Sequence, residues 1–347
     1  MPMHDIQSAD RRDDQLAATY LLPIAAQSPQ LRALSGYLRR VSRQMDEVIV
    51  VDGSPPEVFA IHAEHWGEHV RHIRPQFKTT NGKVAGVLTG VHAASHDRII
   101  IADDDVRYRR AELSAVLDLL DRHDVVRPQN HFRPLPWHAR WDTARSLYNR
   151  LGDGDWPGTL GVRRGVLVQA GGYSGEVLFE NLEMVRTVRA AGGDEALALD
   201  LIIARRPPET RHFGSQRVRQ AYDEWARPAR LAAQMAILPV AAVLARRKGL
   251  AGLAGAIALA VLAAEAGRRK AGGAKAFPAT SALWGPAWLA ERGVTSWLAF
   301  ATRMVKGGVK YRNGRLKTAA TPMPVLRQQV PQRAPLRPDP AYPSAME

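Results

Sequence analysis

The chain has 347 residues, no cysteine and a formal net charge of +14. Its length suits one large domain with an appendage, or two domains. Without cysteine there is no disulfide framework, thiolate metal ligand or cysteine nucleophile. Residues 201–347 hold 24 Lys and Arg against 7 Asp and Glu, whereas residues 1–200 are close to neutral. Basic residues beside long apolar runs favour an anionic membrane surface, and because no nucleic-acid-binding motif is present we predict no nucleic-acid partner.

The first elements follow an alternating strand and helix pattern. Residues 1–16 are polar and lack the apolar core of a signal peptide, so we expect a flexible, cytosolic N-terminus. Residues 17–27 predict a strand, residues 28–44 an amphipathic helix, and residues 47–51 a second strand. This second strand ends in a turn that leaves Asp52 at its carboxyl edge, where an Asx-turn is the simplest interpretation.

The most informative stretch runs from Arg98 to Tyr108. Four apolar residues predict a strand buried on both faces, and Asp103, Asp104 and Asp105 follow it. Adjacent carboxylates repel one another, so a divalent cation such as Mg²⁺ or Mn²⁺ is a natural partner, although a solvated turn remains an alternative. The succession of strand, helix, strand, helix and strand along the chain predicts a doubly wound α/β sheet that binds a nucleotide. No glycine-rich dinucleotide or P-loop motif is present, so the phosphates require another means of binding.

Seven short motifs follow one another along the chain. They are Asp52-Gly53-Ser54, Gly82-Lys83, Asp103-Asp104-Asp105, Arg163-Arg164, Gly171-Gly172-Tyr173, Phe179-Glu180-Asn181-Leu182-Glu183 and Gln216-Arg217-Val218-Arg219-Gln220. Taken together and in this order, they resemble the motifs of family 2 glycosyltransferases of GT-A fold. The resemblance covers about residues 17–225 and implies an α/β, GT-A-like (Rossmann-like) domain at residues 17–228, with a mostly parallel sheet flanked by helices.

The resemblance also implies a nucleotide-sugar site with a metal ion. The donor is expected to be a UDP- or GDP-sugar, with Mg²⁺ or Mn²⁺ held by Asp103 and Asp105, and Asp105 is the better candidate for direct contact. The residues expected at the nucleotide sugar are Asp52, Lys83, Asp103, Gln216 and Arg219. A guanidinium suits a diphosphate, although Arg219 also fits a basic belt at a membrane.

The segment at Glu180-Asn181 departs from the family. Inverting members usually have Glu-Asp there, and the Asp accepts the proton of the acceptor hydroxyl. Asn181 cannot accept a proton, which leaves Glu180 and Glu183 as the nearest carboxylates for the catalytic base. The alternative is that both acids stabilise the first turn of a helix.

Three further residues are candidates for contact with the acceptor. Trp137 and Trp141 lie four residues apart in a segment rich in Pro, Trp, His and Arg, and suit stacking on a sugar or a place at the lipid headgroups. Core packing is the alternative for both. Asn181 is a candidate hydrogen-bond donor to the acceptor.

From Leu231 the composition becomes apolar. We predict a helical, membrane-associated module at residues 229–305. Residues 231–245 and 250–266 are apolar runs slightly short of a full membrane span, joined by a basic turn at residues 246–249. A packed hairpin, spanning or re-entrant, is favoured over a soluble helical pair because neither run has a polar face.

The last part of the chain differs from this module. Leu283–Met304 suits an interfacial amphipathic helix or a poor third membrane crossing. Residues 306–347 are expected to form a basic, largely disordered tail at a cytoplasmic membrane surface, because the region beyond Thr321 is rich in Pro and Gln.

The predicted function is metal-assisted transfer of a sugar from a nucleotide-diphosphate sugar to a lipid-linked or glycan acceptor, with inversion. The catalytic domain is expected on the cytoplasmic side of the cell membrane. One alternative is a nucleotidyltransferase of related fold, but residues 23–27 lack the glycine-rich basic loop that such enzymes need after the first strand. The other is a non-catalytic membrane protein that retains the fold.

Overall fold

A mixed eight-stranded sheet forms the centre of the computed structural model, which describes residues 15–311 and 314–338. Most of the predicted flexible N-terminus therefore lies outside the described residues. The strands of the sheet are β1 (Leu16–Ile24), β2 (Met45–Asp52), β3 (Arg71–Ile73), β4 (Arg98–Ala102), β5 (Val106–Arg107), β6 (Val125–Phe132), β7 (Thr159–Arg163) and β8 (Glu195–Arg205).

The strand order is β3-β2-β1-β4-β7-β6-β8-β5. The half formed by β3, β2, β1 and β4 is parallel, so the carboxyl ends of these strands lie on one edge. The antiparallel β7 separates this half from β6 and β8, which are parallel to each other. The sheet is thus mixed, and the predicted parallel pattern holds for the half formed by β3, β2, β1 and β4.

Helices cover both faces of the sheet, as the α/β prediction requires. They are α1 (Leu31–Ser42), α2 (Pro56–Trp66), α3 (Gly82–Ala93), α4 (Arg110–Leu120), α5 (Trp137–Leu151), α6 (Arg164–Gln169) and α7 (Glu180–Ala190). Successive side chains of a strand point to opposite faces. Leu22 and Ile100 accordingly pack in the cluster that contains Leu38 of α1, whereas Leu21 and Ile101 pack in the cluster that contains Val87 of α3. Burial on both faces explains why the central strands are continuously apolar.

The apolar region after the sheet forms a helical module. Its elements are α8 (Thr210–Ser215), α9 (Arg217–Tyr222), a 3₁₀ turn (Asp223–Ala226), α10 (Pro228–Met235), α11 (Ile237–Arg269), two 3₁₀ segments (Lys270–Lys275 and Ala279–Trp284) and α12 (Gly285–Lys306). By length and composition, the stretch Pro228–Lys275 could cross a membrane. Within this stretch, 11% of the most apolar 18 residues are buried inside the protein.

The predicted turn at residues 246–249 is wrong, because these residues do not form a separate turn between two helices. Arg246, Arg247 and Lys248 are helical, and the break in α11 is confined to Gly249, whose φ of 58° is in the left-handed region. Glycine adopts this conformation without the steric cost that a side chain brings. The two apolar runs are therefore helical segments that meet directly at Gly249, with no separate connecting turn.

A buried arginine connects the module to the sheet. Arg150 at the end of α5 is fully buried, and its guanidinium donates to the carbonyls of Leu199 (2.7 Å), Gly267 (3.2 Å) and Lys270 (2.5 Å). Two of these carbonyls lie at or just beyond the end of α11, where helix carbonyls lack partners and a cation is favourable. Gly267 lies so close to α5 that a Cβ there would stand 1.9 Å from the Leu147 carbonyl oxygen.

The predicted disordered tail is wrong for residues 314–338. A hairpin of β9 (Val309–Tyr311) and β10 (Gly314–Leu316) is followed by α13 (Met323–Gln329) and a 3₁₀ turn (Val330–Gln332). The apolar residues of this segment pack back onto the domain that contains the sheet. Those that are buried include Leu316, Ala319, Ala320, Leu326, Val330 and Leu336. The composition is polar on average, but these spaced apolar residues provide enough buried surface to fix the segment.

Candidate active site

A cleft of about 1290 Å³ opens at the carboxyl ends of β1, β2 and β4. One side is lined by the loop after β1, by Gly53, by Lys83 and by Asp103–Asp105. The opposite side is formed by the start of α7 and by α8, α9 and α12. The cleft therefore lies between the parallel half of the sheet and the helical module, where open α/β sheets bind their ligands.

The acidic strand end forms an ion-pair network with Arg205. The Nε of Arg205 lies 2.9 Å and 2.8 Å from the two carboxylate oxygens of Asp105, and its Nη2 lies 3.2 Å from Asp103 Oδ2. Burial and the neighbouring Asp103 raise the pKa of Asp105, while Arg205 opposes this rise. The arginine thus supplies countercharge to carboxylates that would otherwise repel each other.

Lys83 supplies a second countercharge from the first turn of α3. Its Nζ lies 2.6 Å from Asp103 Oδ1 and 3.0 Å from Glu180 Oε1. Burial by itself would lower the pKa of Lys83, but the charges of Asp103 and Glu180 outweigh it and raise the pKa. Lys83 is consequently a cation at neutral pH, and it joins the acidic strand end to the start of α7.

Gly158 allows the acidic edge to approach β7 closely. Its carbonyl accepts a hydrogen bond from the N–H of Asp103 at 2.8 Å. A Cβ at position 158 would stand 2.6 Å from Asp103 Oδ2 and 2.9 Å from Arg205 Cζ. No side chain fits there without displacement of the carboxylate or the guanidinium, so glycine at this position is part of the site.

Asp103 and Asp105 fit a hard divalent cation. Both side chains reach the cleft, with exposed fractions of 21% and 26%, and both offer carboxylate oxygens. Mg²⁺ and Mn²⁺ prefer such ligands. These oxygens are paired with Lys83 and Arg205, so a cation held by them would take over part of the countercharge that these side chains provide.

Asp52 does not reach the cleft, which corrects its predicted contact with the nucleotide. Its carboxylate is fully buried and accepts hydrogen bonds from His62 Nδ1 (2.7 Å), His72 Nε2 (3.1 Å) and the N–H of Ser54 (2.8 Å). Burial would raise the pKa of Asp52, but the hydrogen bonds from His72, Ser54 and His62 together lower it. The ionised carboxylate of Asp52 is therefore stabilised beneath the turn at Gly53. The hydrogen bond from the N–H of Ser54 is the one that an Asx-turn requires.

Asp52, His62 and His72 also have the spacing of a metal site, because their ligand atoms lie within 4.8 Å of one another. The N–H of Gln30 donates to His62 Nε2 at 3.0 Å, so this nitrogen is the acceptor. The proton is then on His62 Nδ1, which donates it to Asp52. We interpret the three side chains as a hydrogen-bonded cluster that supports the turn after β2.

The two candidate bases have different positions. Glu180 lines the cleft, where Lys83 holds its Oε1. Glu183 is fully buried, and its Oε2 accepts the N–H of Thr321 at 2.6 Å, which excludes contact with an acceptor and corrects that prediction. Asn181 lines the cleft and donates its amide to the carbonyl of Pro157 at 2.8 Å.

Gln216 and Arg219 both line the cleft, as the resemblance implies. The side chain of Arg219 donates to Gln216 Oε1 at 3.4 Å, and its guanidinium carbon lies 5.0 Å from the ring centroid of Tyr311. Tyr311 in turn donates to Asn81, the residue that caps α3 next to Lys83. The C-terminal hairpin thereby connects Arg219 to the opposite side of the cleft.

The tryptophans predicted at the acceptor do not line the cleft. Trp137 is half exposed on the outside of α5, beside Phe213. Trp141 donates to Glu291 Oε2 at 2.8 Å and so joins α5 to α12. The residues that α12 does contribute to the cleft are Trp288 and Arg292. Sequence reasoning missed them because it treated the module as separate from the site.

Arg205 and Asp223 were also missed. Arg205 stands 22 residues beyond the predicted α7 motif, and its signal was a basic residue at the end of an apolar strand. The antiparallel pairing that places Val106 opposite Arg205 brings it to the acidic edge. Asp223 lines the cleft from the turn after α9 and had no distinguishing pattern around it.

The geometry agrees with comparisons to known proteins. The family model described as Glycosyl transferase family 2 matches residues 31–166. No curated protein sequence matches the chain. The solved mannosyltransferase PcManGT from Pyrobaculum calidifontis, in complex with GDP-Man and Mn²⁺, is similar at a TM-score of 0.50 and 15% identity, over 88% of this chain and 95% of that one.

A second solved structure is similar at a lower score. Glucosyl-3-phosphoglycerate synthase from Mycobacterium tuberculosis, in complex with Mn²⁺, UDP and glucosyl-3-phosphoglycerate, has a TM-score of 0.40 and 20% identity, over 62% of this chain and 80% of that one. The family model spans the motifs from Gly53 to the acidic strand end, and PcManGT shares the fold over most of the chain. The predicted resemblance is therefore confirmed: residues 31–166 match the family 2 glycosyltransferase model, and the chain has a GT-A-like fold.

Proposed function

We propose that the chain transfers a sugar, with inversion, from a nucleotide-diphosphate sugar to a lipid-linked or glycan acceptor at the cytoplasmic face of the cell membrane. The observation that carries this proposal is the network of Lys83, Asp103, Asp105 and Arg205 at one end of the cleft. Departure of a nucleoside diphosphate develops negative charge, and cationic groups fixed in advance at that place stabilise it.

Mg²⁺ or Mn²⁺, held by Asp103 and Asp105, would supply Lewis-acid stabilisation of the diphosphate. Lys83 and Arg205 position these carboxylates and bring two cations to the same end of the cleft. Arg219, on the other side, offers a guanidinium to the same anion. The donor complex of PcManGT contains GDP-Man and Mn²⁺, which supports this arrangement for a chain of similar fold.

The position of α12 supports a lipid-linked acceptor. Trp288 and Arg292 line the cleft, while Trp297 and Leu298 on the same helix are about half exposed. Further exposed apolar side chains continue the surface along α11 and α12: Leu238, Val240, Val243, Leu250, Ile257, Leu259, Leu262, Val294, Met304 and Val305. A lipid can therefore contact this surface while its polar head reaches the cleft.

The test of the proposed function is donor turnover by the purified full chain. We expect nucleoside diphosphate to be released from GDP-mannose or UDP-glucose, with Mg²⁺ or Mn²⁺ required, and the release to rise when membrane lipid extract is added. Glycosylated lipid is then identified by mass spectrometry. Binding of neither donor, in the presence of either cation, would sink the proposal and leave the non-catalytic alternative.

Membrane attachment gives a second prediction. The full chain should cosediment with vesicles of phosphatidylethanolamine and phosphatidylglycerol and should stay bound in high salt, because screening weakens electrostatic but not hydrophobic attachment. Replacing both Leu259 and Leu262 by Asp should lower the vesicle partition coefficient by about 10²-fold or more, since each leucine buried in the membrane contributes roughly 1.5–3 kcal/mol. These side chains are 68% and 65% exposed, so the fold should survive.

A matched variant controls for the general effect of adding charge. Ile61 is an exposed apolar residue on α2, away from the module, and Ile61→Asp should leave vesicle binding unchanged. Full release of the wild-type chain by salt alone, or equal loss of binding in both variants, is the contrary result.

A further inference from the structure

The structure leaves the proposed transferase without its expected base, which raises the question of which group deprotonates the acceptor. Asn181 cannot take a proton, and Glu183 is buried away from the cleft. Glu180 faces the cleft, but its Oε1 is already engaged in an ion pair with Lys83 Nζ at 3.0 Å.

The other carboxylates that line the cleft are mostly paired in the same way. Asp142 accepts from Arg217 at 2.8 Å, and Glu224 accepts from Arg227 at 3.0 Å. Asp103, Asp104 and Asp105 belong to the acidic edge, on the donor side. Glu209 is exposed at the rim. Among the described residues that line the cleft, this leaves Asp223.

Asp223 is placed to meet an acceptor. It is the first residue of the 3₁₀ turn after α9, and it is partly exposed to the cleft. Its Oδ1 is buried and has no hydrogen-bond partner among the described residues. Glu183 Oε1 and Glu224 Oε2 also lack a partner, but Glu183 lies away from the cleft and Glu224 is ion-paired with Arg227 and Arg230. Asp223 combines the unpartnered oxygen with access to the cleft and has no ion pair within 4.0 Å among the described residues, so a polar group of a bound ligand can satisfy this oxygen.

We propose that Asp223 is the general base that accepts the proton of the acceptor hydroxyl, in place of the aspartate that is missing at position 181. This rests on the proposed function. The surroundings of Asp223 suit the role of a general base, because burial raises the pKa of its carboxyl to about 7. Arg219 and Arg227 oppose the rise, whereas Glu180 and Glu224 add to it. A base with a pKa near the working pH combines the ionised form with a useful proton affinity.

The step balances without another reactant. The acceptor oxygen forms a bond to the anomeric carbon, and its proton passes to the carboxylate of Asp223. The bond between the anomeric carbon and the diphosphate oxygen breaks, and its electron pair leaves with the nucleoside diphosphate. Water can take the place of the acceptor and must lose a proton in the same way, whereas azide is already an anion and needs no base.

The test compares these two nucleophiles, with GDP-mannose or UDP-glucose as donor, whichever the wild-type chain turns over. Asp223→Asn should lower hydrolysis by about 10²–10⁴-fold. Formation of the glycosyl azide and affinity for the donor should stay within a few-fold of the wild type. Asp118→Asn, which removes an exposed carboxylate of α4 outside the cleft, should change neither reaction. Equal hydrolysis by Asp223→Asn and the wild type, or parallel loss of hydrolysis and azide transfer, overturns the proposal.

The pH dependence of the wild type tests the same proposal without a variant. Only the ionised carboxylate accepts a proton, so hydrolysis should rise about tenfold per pH unit up to about pH 7 and then level off, while azide transfer stays flat over that range. Hydrolysis that is independent of pH between about 5.5 and 7 overturns the assignment. Failure of the wild type to bind either donor would instead contradict the proposed function itself.

Discussion

Replacing Asp105 by asparagine is expected to lower sugar transfer by roughly 10²–10³-fold while the fold stays intact. The change removes a negative charge from the acidic edge, where both carboxylate oxygens of Asp105 accept a hydrogen bond from Arg205 Nε. In the proposed function this edge holds the cation that stabilises the departing diphosphate, and loss of one such electrostatic group typically costs 10²–10³ in rate. Binding of Mn²⁺, measured by calorimetry without donor, should weaken together with turnover.

The stability of this variant should change little. The side chains of Arg205 and Asp105 are about a quarter exposed, and ion pairs of this kind contribute about 1 kcal/mol or less. Asp118→Asn on α4 is the matched control, because that carboxylate is exposed and lies outside the cleft. The assignment of Asp105 fails if the variant retains full activity, or if excess chelator leaves the wild type active.

A chain that ends at Lys306 is expected to be unfolded or insoluble. It lacks Leu316, Leu326, Val330 and Leu336, all of which are buried against the catalytic domain. At roughly 1.5–3 kcal/mol for each side chain, this loss is about 6–12 kcal/mol, which is comparable to the whole stability of an ordinary domain of 5–15 kcal/mol. Thermal unfolding of the detergent-solubilised protein, and its soluble yield, measure the effect.

Adjacent residues of α13 provide the control for this prediction. Leu326 is fully buried, whereas Val325 is 37% exposed. Leu326→Asp should lower the melting temperature strongly, because it places an unpaired charge in an apolar cluster with Ala170 and Val330. Val325→Asp should have a small effect. Similar melting temperatures for the two variants would mean that this segment does not stabilise the domain.

The parts of the fold that were predictable are those specified by local pattern. The run from Arg98 to Ala102 is apolar because the strand is buried on both faces, and three aspartates follow it, so both the strand and its acidic end were visible in the sequence. Lys83 was found because its motif places it at the start of α3. These features depend on residues close together in the chain.

The features that were not predictable depend on distant pairings. Asp52 was expected to face the ligand, but His62 and His72, which lie 10 and 20 residues further on, fold over its carboxylate. Arg205 reaches Asp105 across 100 residues through the pairing of β5 with β8. No local period or spacing encodes such contacts.

The tail and the module show the same limit in another form. Residues beyond Thr321 have a composition typical of disorder, yet Leu326 and Leu336 each find a complementary apolar site on the catalytic domain. Composition averages over a window, whereas packing depends on whether individual side chains meet a surface. For the same reason the boundary predicted at residue 228 does not separate the catalytic half from the rest of the chain.

The return of the C-terminal segment to the catalytic domain determines when the site is completed during synthesis. The backbone of Leu178 and Phe179, directly before α7, donates to Thr318 and Ala319, and Glu183 accepts from Thr321, which is 138 residues later in the chain. The ribosome releases these partners only after α11 and α12, and contacts between such distant residues form late. The donor side of the cleft can therefore assemble early, whereas the acceptor side waits until the apolar helices have emerged. In the proposed function, in which the apolar helices bind the bilayer as they appear, the cleft first becomes complete beside the membrane that would hold the acceptor.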